Sequence, residues 1–342
     1  MRIIVVGDLR EGQTCRHRML AMRALGHEVH EVSTADQDSV RADASFFGRV
    51  IHRAFGPLDR VAANLRLAQA AQTVDPDIIW LDKALTIAAT TLARIKVATP
   101  ACRIVGYSPD DMYQRHSQSR QFLQHITHYD IYFTTKSFGV RDLGMLGCKR
   151  ASFIGNSYDP KTHRPRVVTA HERLKYGGAI GFIGTWEAER SETLTRLAHD
   201  GFPIRVWGNC WGKRRKGLPN LRIEGRAIMG DEYSIATNAF DINLGFLRKC
   251  NRDQQTSRSV EIPACGAFML AERTGEHCEL FKEGEEAEFF GSYRELTEKL
   301  RYYLDNPEAR RAVADAGHKR CLSSGYSNLV RVRCMLESVQ SL

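Results

Sequence analysis

The alternation of short apolar runs with longer amphipathic segments constrains the fold of this chain more than any other feature. Apolar runs at residues 2–6, 77–81, 103–107 and 130–134 have the length of strands, and segments with a helical spacing of apolar residues lie between most of them. Strands that are separated by helices form a parallel sheet with helices on both faces. The sequence therefore predicts an α/β fold of the doubly wound type.

The same alternation begins again after a polar, basic stretch at residues 156–178 that contains two prolines and a pair of glycines. A chain of 342 residues is long enough for about two domains. We expect two tandem Rossmann-like domains, residues 1–165 and 166–342, with a last helix that could cross back to the first domain. Because ligands of open parallel sheets bind beyond the carboxyl ends of the strands, we expect a site in the cleft between the domains.

The composition limits the class of protein and its partners. Lysine and arginine outnumber aspartate and glutamate by 49 to 40, which gives a formal net charge of +9 at pH 7. The charge favours anionic partners such as nucleotides, acidic glycans or lipid surfaces, although a merely soluble basic protein would show the same excess. A hydrophobic fraction of 43% excludes a disordered chain.

The apolar runs and the cysteines indicate where the protein works. The apolar runs are far shorter than the roughly 20 residues that a membrane-spanning helix needs. Asp8 and Arg10 end the first run too early for a signal peptide. The nine cysteines form no CxxC motif, so we interpret them as reduced thiols. We expect a cytoplasmic protein, and peripheral contact with the inner face of a membrane is left open.

Two familiar motifs fail in the first 40 residues. The stretch Gly7–Thr14 has the glycine spacing of a P-loop, but Gln13 stands where the phosphate-binding lysine is required. The GxGxxG pattern of dinucleotide binding is also absent there, which argues against a nicotinamide-dependent dehydrogenase. Two interpretations of the turn at Gly12 remain open, a backbone anion-binding loop and a tight turn without a ligand.

The most informative stretch lies at residues 251–283. A predicted strand at 241–246 leads into a basic loop with Lys249, and a short helix that carries Arg258 follows. Asp253 and Glu261 are eight positions apart in segments that begin at the end of a strand. Gly275 then opens another helix after a second buried strand. All of these residues would lie at the ligand-binding edge of a parallel sheet.

This stretch resembles the donor domain of group 1 glycosyltransferases with the two-domain GT-B fold, and more narrowly their spore-maturation-type (CgeB-like) branch. The family pattern has an acidic residue, seven others and then Glu, which corresponds here to Asp253 and Glu261. A second match is the segment 181–186, followed by Arg190. Segments at 107–111 and 129–136 also look like the family, and residues 1–100 match weakly.

The resemblance implies a transferase that moves a sugar from a nucleotide-sugar donor to an acceptor, with no cofactor and no metal. Its leaving nucleoside diphosphate gathers negative charge, which arginine or lysine and a helix N-terminus can stabilise. The implied donor-binding residues are Glu261 for the ribose hydroxyls, together with Arg190, Arg258, Lys249, Gly184, Trp186 and Gly275. Asp253 would face the donor sugar as a catalytic residue, although the family usually has Glu there, and the pattern suggests retention of the anomeric configuration.

Each of these residues also has an ordinary structural interpretation. Arg190 could pair with a neighbouring glutamate, Asp253 could be a loop aspartate, and Trp186 could be a packing aromatic. The scattered Asp-x-Asp patterns and histidines give no metal-ligand set, and we interpret them as turn and structural residues. No metal site is therefore expected.

The first half of the chain would bind the acceptor, a glycan, a lipid-linked sugar or a protein. Asp110 and Asp111 follow a predicted strand, where a carboxylate could act as general base or merely cap the next helix. The basic amphipathic stretch 46–67 could lie on a membrane or pack against its own sheet. The run Lys213–Lys216 is interpreted as an exposed loop.

Two rival functions remain open beside the transferase. A sugar-nucleotide epimerase or hydrolase would have the same fold, and fold alone does not decide function. A non-enzymatic module could instead hold an anionic ligand on the basic surface. Nucleic acid is not an expected partner, because the sequence lacks arginines interleaved with aromatic residues.

Overall fold

The structure is a computed structural model that describes residues 1–212 and 217–342, apart from the side chains at 44, 46, 49 and 52–54. The run Lys213–Lys216 lies outside the described residues. The chain forms two compact units, a first unit of residues 1–155 and 328–342 and a second unit of residues 156–327. The domain limits predicted from the sequence, 1–165 and 166–342, differ from the ranges of these two units. Those domain limits stay a prediction.

The first unit is built on a parallel sheet with the strand order β2-β1-β3-β4-β5-β6. Its strands are β1 (Arg2–Gly7), β2 (Glu28–Ser33), β3 (Ile78–Asp82), β4 (Arg103–Ser108), β5 (Ile131–Thr134) and β6 (Ala151–Phe153). Its helices are α1 (Thr14–Ala24), α2 (Gln37–Ala44), α3 (Phe46–Phe55), α4 (Ala63–Val74), α5 (Ala89–Ala98), α6 (Arg120–His125), α7 (Gly139–Met145) and, from the end of the chain, α15 (Asn328–Gln340).

The second unit is built on a parallel sheet with the strand order β12-β11-β10-β7-β8-β9. Its strands are β7 (Gly178–Ile183), β8 (Ile204–Trp207), β9 (Leu221–Ile223), β10 (Phe240–Gly245), β11 (Met269–Glu272) and β12 (Glu288–Phe290). Its helices are α8 (Ala170–Tyr176), α9 (Ala188–His199), α10 (Gly230–Ala239), α11 (Ser257–Ala264), α12 (Gly275–Leu280), α13 (Tyr293–Asp305) and α14 (Pro307–Ser323).

Each sheet is buried on both faces, as the near-continuous apolar strands predict. In β1, Ile3 and Val5 point into one apolar cluster of the first unit, whereas Ile4 and Val6 point into the other. In the second unit Phe182 and Ile183 likewise separate into two clusters. Two tandem doubly wound α/β units are therefore present, and the predicted fold class is confirmed.

The strand order places a ligand-binding position in each sheet. A parallel sheet has a crevice at the carboxyl ends of its strands where the chain order reverses direction. In the second unit this point lies between β7 and β10, and in the first unit it lies between β1 and β3. We call the carboxyl ends of β7, β10 and β11, with the loops that follow them and α11, the switch-point edge.

Candidate functional site

The two loops at the centre of the switch-point edge are joined by Arg190. This residue lies on α9 and is buried, with 7% of its surface exposed. Its guanidinium donates to the carbonyl oxygen of Thr185 after β7 at 3.1 Å and to that of Phe246 after β10 at 3.4 Å. Burial lowers the pKa of Arg190 from its ordinary value. Arg190 therefore connects the two loops by hydrogen bonds to their backbones.

The turn after β7 is also tied to the turn after β8. The amide of Gly184 donates to the carbonyl oxygen of Trp207 at 2.9 Å, and the Trp211 indole donates to the carbonyl oxygen of Gly184 at 2.9 Å. Trp186 packs half-buried against the same core, so its aromatic ring contributes packing at this position. These contacts fix the backbone of the predicted donor-binding turn.

Helix α11 presents its two charged residues together. Thr256 and Ser259 form a capping box at the start of the helix, and the amide of Thr256 donates to the Ser259 hydroxyl at 3.0 Å. Arg258 and Glu261 are three positions apart and form an ion pair on one face. The helix continues through Pro263, the proline near its end.

The Arg258–Glu261 pair lies directly at the end of β7. The Arg258 Nε donates to the carbonyl oxygen of Ile183 at 3.3 Å, and its guanidinium lies 4.3 Å from the ring centroid of Tyr233. The side chain of Arg258 is 36% exposed, whereas that of Glu261 is 3% exposed. A partly open cation therefore covers a buried carboxylate at the switch point.

Asp253 belongs to the loop after β10, and its carboxylate organises that loop. It accepts a hydrogen bond from the Asn251 amide at 2.7 Å and one from the backbone N–H of Arg248 at 3.2 Å. The residue is 6% exposed. The structure thus brings Asp253 to the same edge as Glu261, with hydrogen bonds inside its own loop.

More cations and a helix start border this edge. The Lys249 ammonium lies 3.1 Å from Glu272 at the end of β11, and the side chain of Lys249 is 54% exposed. Gly275 is exposed at the first position of α12, and a Cβ there would meet no atom within 4 Å. The predicted donor-binding residues therefore lie in the loops at the carboxyl ends of the second sheet or in the first two turns of the helices that follow those loops.

Two buried polar residues of this region were missed by the sequence reasoning. Gln255 accepts from the backbone N–H of Asn156 at 3.1 Å and donates to Glu276 at 2.8 Å. His163 lies with its Nε2 3.7 Å from Glu261. Both depend on the segment after β6 packing into the second unit, which no local pattern indicates. The only sequence signal was the polar character of residues 156–178.

The residues expected to meet the acceptor lie in the first unit. Asp110, just beyond the carboxyl end of β4, is half-buried and forms an ion pair with Lys83, which follows β3. Asp111 is 1% exposed and accepts a hydrogen bond from the backbone N–H of Tyr113 at 3.1 Å. Asp110 is thus the more accessible of the two carboxylates.

The anion loop predicted at Gly12 is a turn between β1 and α1 with a left-handed glycine at φ +78°. Below it, the guanidinium of Arg18 binds both carboxylate oxygens of Asp82, at 2.6 and 2.9 Å. This pair is buried and occupies the carboxyl end of β3. A structural turn and a phosphate site both fit Gly12, and its role stays a prediction.

The amphipathic stretch 46–67 does not form one continuous helix. Gly56 and Pro57 end α3, and α4 begins at Ala63. Leu67 on α4 is buried in the first core, whereas Phe47 and Phe55 on α3 are 76% and 72% exposed. Leu65 on α4, a member of the predicted apolar face, is 59% exposed, so that face is not buried as one surface.

The described residues contain neither a cluster of metal-binding side chains nor a helix that could span a membrane. Within residues 1–212 and 217–342, no three histidine, cysteine, aspartate or glutamate side chains are grouped so that they could hold a metal ion. In the same part of the chain, no helix has both the length and the hydrophobicity needed to cross a bilayer.

Part of the chain matches a known family. Residues 190–337, less than half of the sequence, match the model of the family described as "Glycosyl transferase-like". The match covers Arg190 and the whole segment from Lys249 to Gly275. No curated protein matches the sequence.

Solved structures match over nearly the whole length. The Anabaena protein Alr3699/HepE in complex with UDP-glucose is 12% identical with a TM-score of 0.67, and the match covers 100% of both chains. Sucrose-phosphate synthase from Thermosynechococcus elongatus is 12% identical with a TM-score of 0.67, over 100% of this chain and 98% of that one. UDP-GlcNAc 2-epimerase from Neisseria meningitidis, bound to UDP-GlcNAc, is 10% identical with a TM-score of 0.53, over 100% of both chains.

These comparisons define the class of protein. The two-domain GT-B fold is confirmed, because the structural matches extend over both units. The prediction of an enzyme of the glycosyltransferase type is confirmed as well, since the family match covers most of the predicted donor region. The epimerase is a more distant structural match than sucrose-phosphate synthase, with a TM-score of 0.53 against 0.67.

Proposed function

We propose that the protein transfers a sugar from a nucleoside-diphosphate sugar that binds at the switch-point edge of the second unit. The observation that carries the proposal is the Arg258–Glu261 pair, in which a partly open cation and a buried carboxylate meet at the end of β7. Matched structures that contain UDP and UDP-glucose support a uridine donor. The spore-maturation-type branch remains our proposal for the narrower subfamily.

The charged residues of this edge complement two parts of such a donor, its ribose and its diphosphate. A carboxylate has two oxygens that accept several hydrogen bonds, so Glu261 can receive both ribose hydroxyls. Arg258 and the more exposed Lys249 can then neutralise the leaving diphosphate without a metal ion. Arg190 contributes indirectly, because its hydrogen bonds hold the loops after β7 and β10 in place.

We further propose that transfer retains the anomeric configuration and that Asp253 lies near the donor sugar. Its buried carboxylate fixes the loop that follows β10, and this loop carries Lys249. Asp110 in the first unit is proposed to contact the acceptor hydroxyl, since it is half-buried beside Lys83. The anomeric proton coupling of the glycoside product, compared by NMR with that of the sugar in the donor, would test retention.

Thermal unfolding in the presence of nucleotides tests the donor site. Wild type and Glu261→Ala are compared with UDP, GDP, dTDP and CMP and with their sugars. A ligand at 100 times its Kd stabilises a protein by about 2.7 kcal/mol, so one nucleotide should raise the Tm of wild type by several degrees. Glu261→Ala should lose this shift, whereas Glu298→Ala on the exposed face of α13 should keep it. A wild-type protein that responds to no nucleotide would contradict the proposal.

A sugar-nucleotide epimerase is the second candidate, because an epimerase is among the matched structures. The two activities differ in their need for an acceptor. A transferase releases UDP in proportion to the acceptor supplied, whereas an epimerase converts the sugar nucleotide without an acceptor. Chromatography of UDP-sugars after incubation without acceptor distinguishes them, and an epimerised sugar nucleotide would favour the second candidate.

We propose that the acceptor lies at an anionic lipid surface, and the exposed apolar residues of helix α3 are the observation that supports this. Phe47, Val50 and Phe55 are exposed at 76%, 52% and 72%, and the same ten-residue helix carries Arg49 and Arg53 in its sequence. Apolar side chains combined with arginines are typical of helices that lie in a membrane interface. Sedimentation with vesicles containing phosphatidylglycerol should fall for Phe47→Ser/Phe55→Ser and in high salt, whereas neutral vesicles should bind weakly. Equal binding of the double variant would exclude this surface.

A further inference from the structure

The segment that follows β6 brings a histidine into the buried part of the donor site. His163 is 5% exposed, and its Nε2 lies 3.7 Å from the Oε1 of Glu261. The other oxygen of Glu261, Oε2, is the one that pairs with Arg258. Two groups from different parts of the chain therefore approach the two oxygens of one carboxylate.

A short turn fixes which nitrogen of His163 carries a proton. The backbone N–H of Asp159 donates to the Nδ1 of His163 at 2.9 Å, so Nδ1 is the acceptor and Nε2 carries the proton in the neutral ring. The Asp159 carboxylate in turn accepts from the backbone N–H and the hydroxyl of Thr162, at 3.0 and 2.7 Å. The turn thus directs an N–H donor toward Glu261.

The ring is also held by an aromatic contact. His163 meets Tyr233 edge to face, with the ring centroids 5.3 Å apart and an interplanar angle of 88°. The same tyrosine lies beneath the guanidinium of Arg258. Tyr233 therefore contacts both groups that approach Glu261.

We infer that His163 is a positioning residue for the donor, an inference that rests on the proposed function. Its Nε2–H faces Oε1 of Glu261 while Arg258 faces Oε2, so the carboxylate is oriented before the ribose arrives. A preorganised carboxylate loses less conformational entropy on binding, which increases affinity. His163 acts through Glu261 and affects donor binding more than the transfer step.

Two polar substitutions separate this role from simple packing. The amide nitrogen of glutamine can occupy the place of Nε2, whereas the shorter asparagine reaches only the place of Nδ1. His163→Asn should raise the Kd of UDP and the KM of the donor about tenfold, because Glu261 loses the group that orients it, while kcat should stay within about twofold. A tenfold change in Kd corresponds to ~1.4 kcal/mol. His163→Gln should recover binding to within about threefold of wild type. His171→Asn, at an exposed histidine on α8, is the matched control.

A double-mutant cycle then tests the route through Glu261. In a Glu261→Gln background, His163→Asn should change UDP binding by less than about twofold, since the carboxylate it orients is gone. Binding measured by calorimetry and Tm measured without ligand are recorded for every variant. Equal UDP affinity of wild type, His163→Asn and His163→Gln, or an undiminished effect in the Glu261→Gln background, would overturn the inference alone. A wild type that binds no nucleotide would overturn the proposed function as well.

Discussion

Arg18 and Asp82 form a buried ion pair whose two hydrogen bonds compensate for the loss of hydration of both charges. Arg18→Leu leaves the Asp82 carboxylate buried without its guanidinium. We expect a loss of about 3–5 kcal/mol in the free energy of unfolding of the first unit. Arg41→Leu, which removes an exposed partner of Asp38, should cost less than about 1 kcal/mol. Urea denaturation of the two variants measures the difference, and similar losses would contradict the expectation.

His125 is a second residue whose burial can be measured in solution. It is fully buried, neither ring nitrogen has a hydrogen-bond partner within the described residues, and burial lowers its pKa to about 4. The unfolded chain protonates this histidine near pH 6.5, whereas the folded chain keeps it neutral. Stability should therefore fall as the pH falls from about 6.5 to about 4, by about 3 kcal/mol in total.

His125→Leu should remove this contribution, so its Tm should fall less steeply than that of wild type between pH 7 and pH 5. His171→Leu should keep the wild-type slope, because His171 is exposed on α8. Thermal unfolding at a series of pH values gives the comparison. Parallel curves for wild type and His125→Leu would show that another group causes the acid sensitivity.

At the scale of single residues, the family resemblance singled out Arg258 and Glu261, and their i,i+3 spacing on α11 explains why they meet. Arg258 and Glu261 meet through local geometry alone. His163 meets Glu261 through tertiary packing across nearly a hundred positions, and no periodicity encodes such a contact. Asp253 was located correctly at the strand end, but its bonds to Asn251 and Arg248 became visible only in the folded loop.

At the scale of elements, the turns after β7 and β8 depend on a glycine. A Cβ at Gly208 would lie 1.9 Å from the carbonyl oxygen of Gly184, so alanine there must displace the turn that borders the proposed donor site. A Cβ at Gly212 would meet no atom of the described residues within 4 Å. Gly208→Ala should cost about 1–3 kcal/mol in stability and weaken UDP binding, whereas Gly212→Ala should bind UDP like wild type. Unchanged binding by Gly208→Ala would exclude the turn from the site.

For helices α3 and α4, the apolar pattern predicted the helical structure but not which side chains would be buried. The apolar spacing at 46–67 predicted helix, but the Gly56-Pro57 pair divides the stretch, and Ala62 adopts a left-handed conformation before α4. On α4, Leu65 of the predicted apolar face is 59% exposed. A hydrophobic period therefore predicted helix without predicting which part of it would be buried. Burial of α3 depends on neighbouring elements, which the period does not describe.

At the scale of the whole molecule, the alternation of strands and helices was sufficient to predict two doubly wound units. The order of the strands within each sheet was not predicted, because the same alternation is compatible with several orders. The order matters for function, since it creates the switch points between β7 and β10 and between β1 and β3. The proposed donor residues came from motifs, and the strand order explains why they lie at one end of the sheet.

After α14 the chain returns to the first unit, so the last helix of the sequence belongs to the unit with which the sequence begins. Helix α15 packs on α1, and Leu336 is buried in the cluster that contains Met19 and Met22. Truncating a buried leucine to alanine costs about 2–5 kcal/mol, and the cost falls on the unit in which the side chain is packed. Leu336→Ala should therefore destabilise the first unit selectively.

Hydrogen–deuterium exchange resolves this selectivity along the chain. In Leu336→Ala, peptides from α1 and β1 should exchange faster than in wild type, while peptides within residues 178–290 should exchange at the wild-type rate. Leu322→Ala, at a 61% exposed position of α14, should change neither set. Equal acceleration in both units would mean that the two units unfold as one cooperative body.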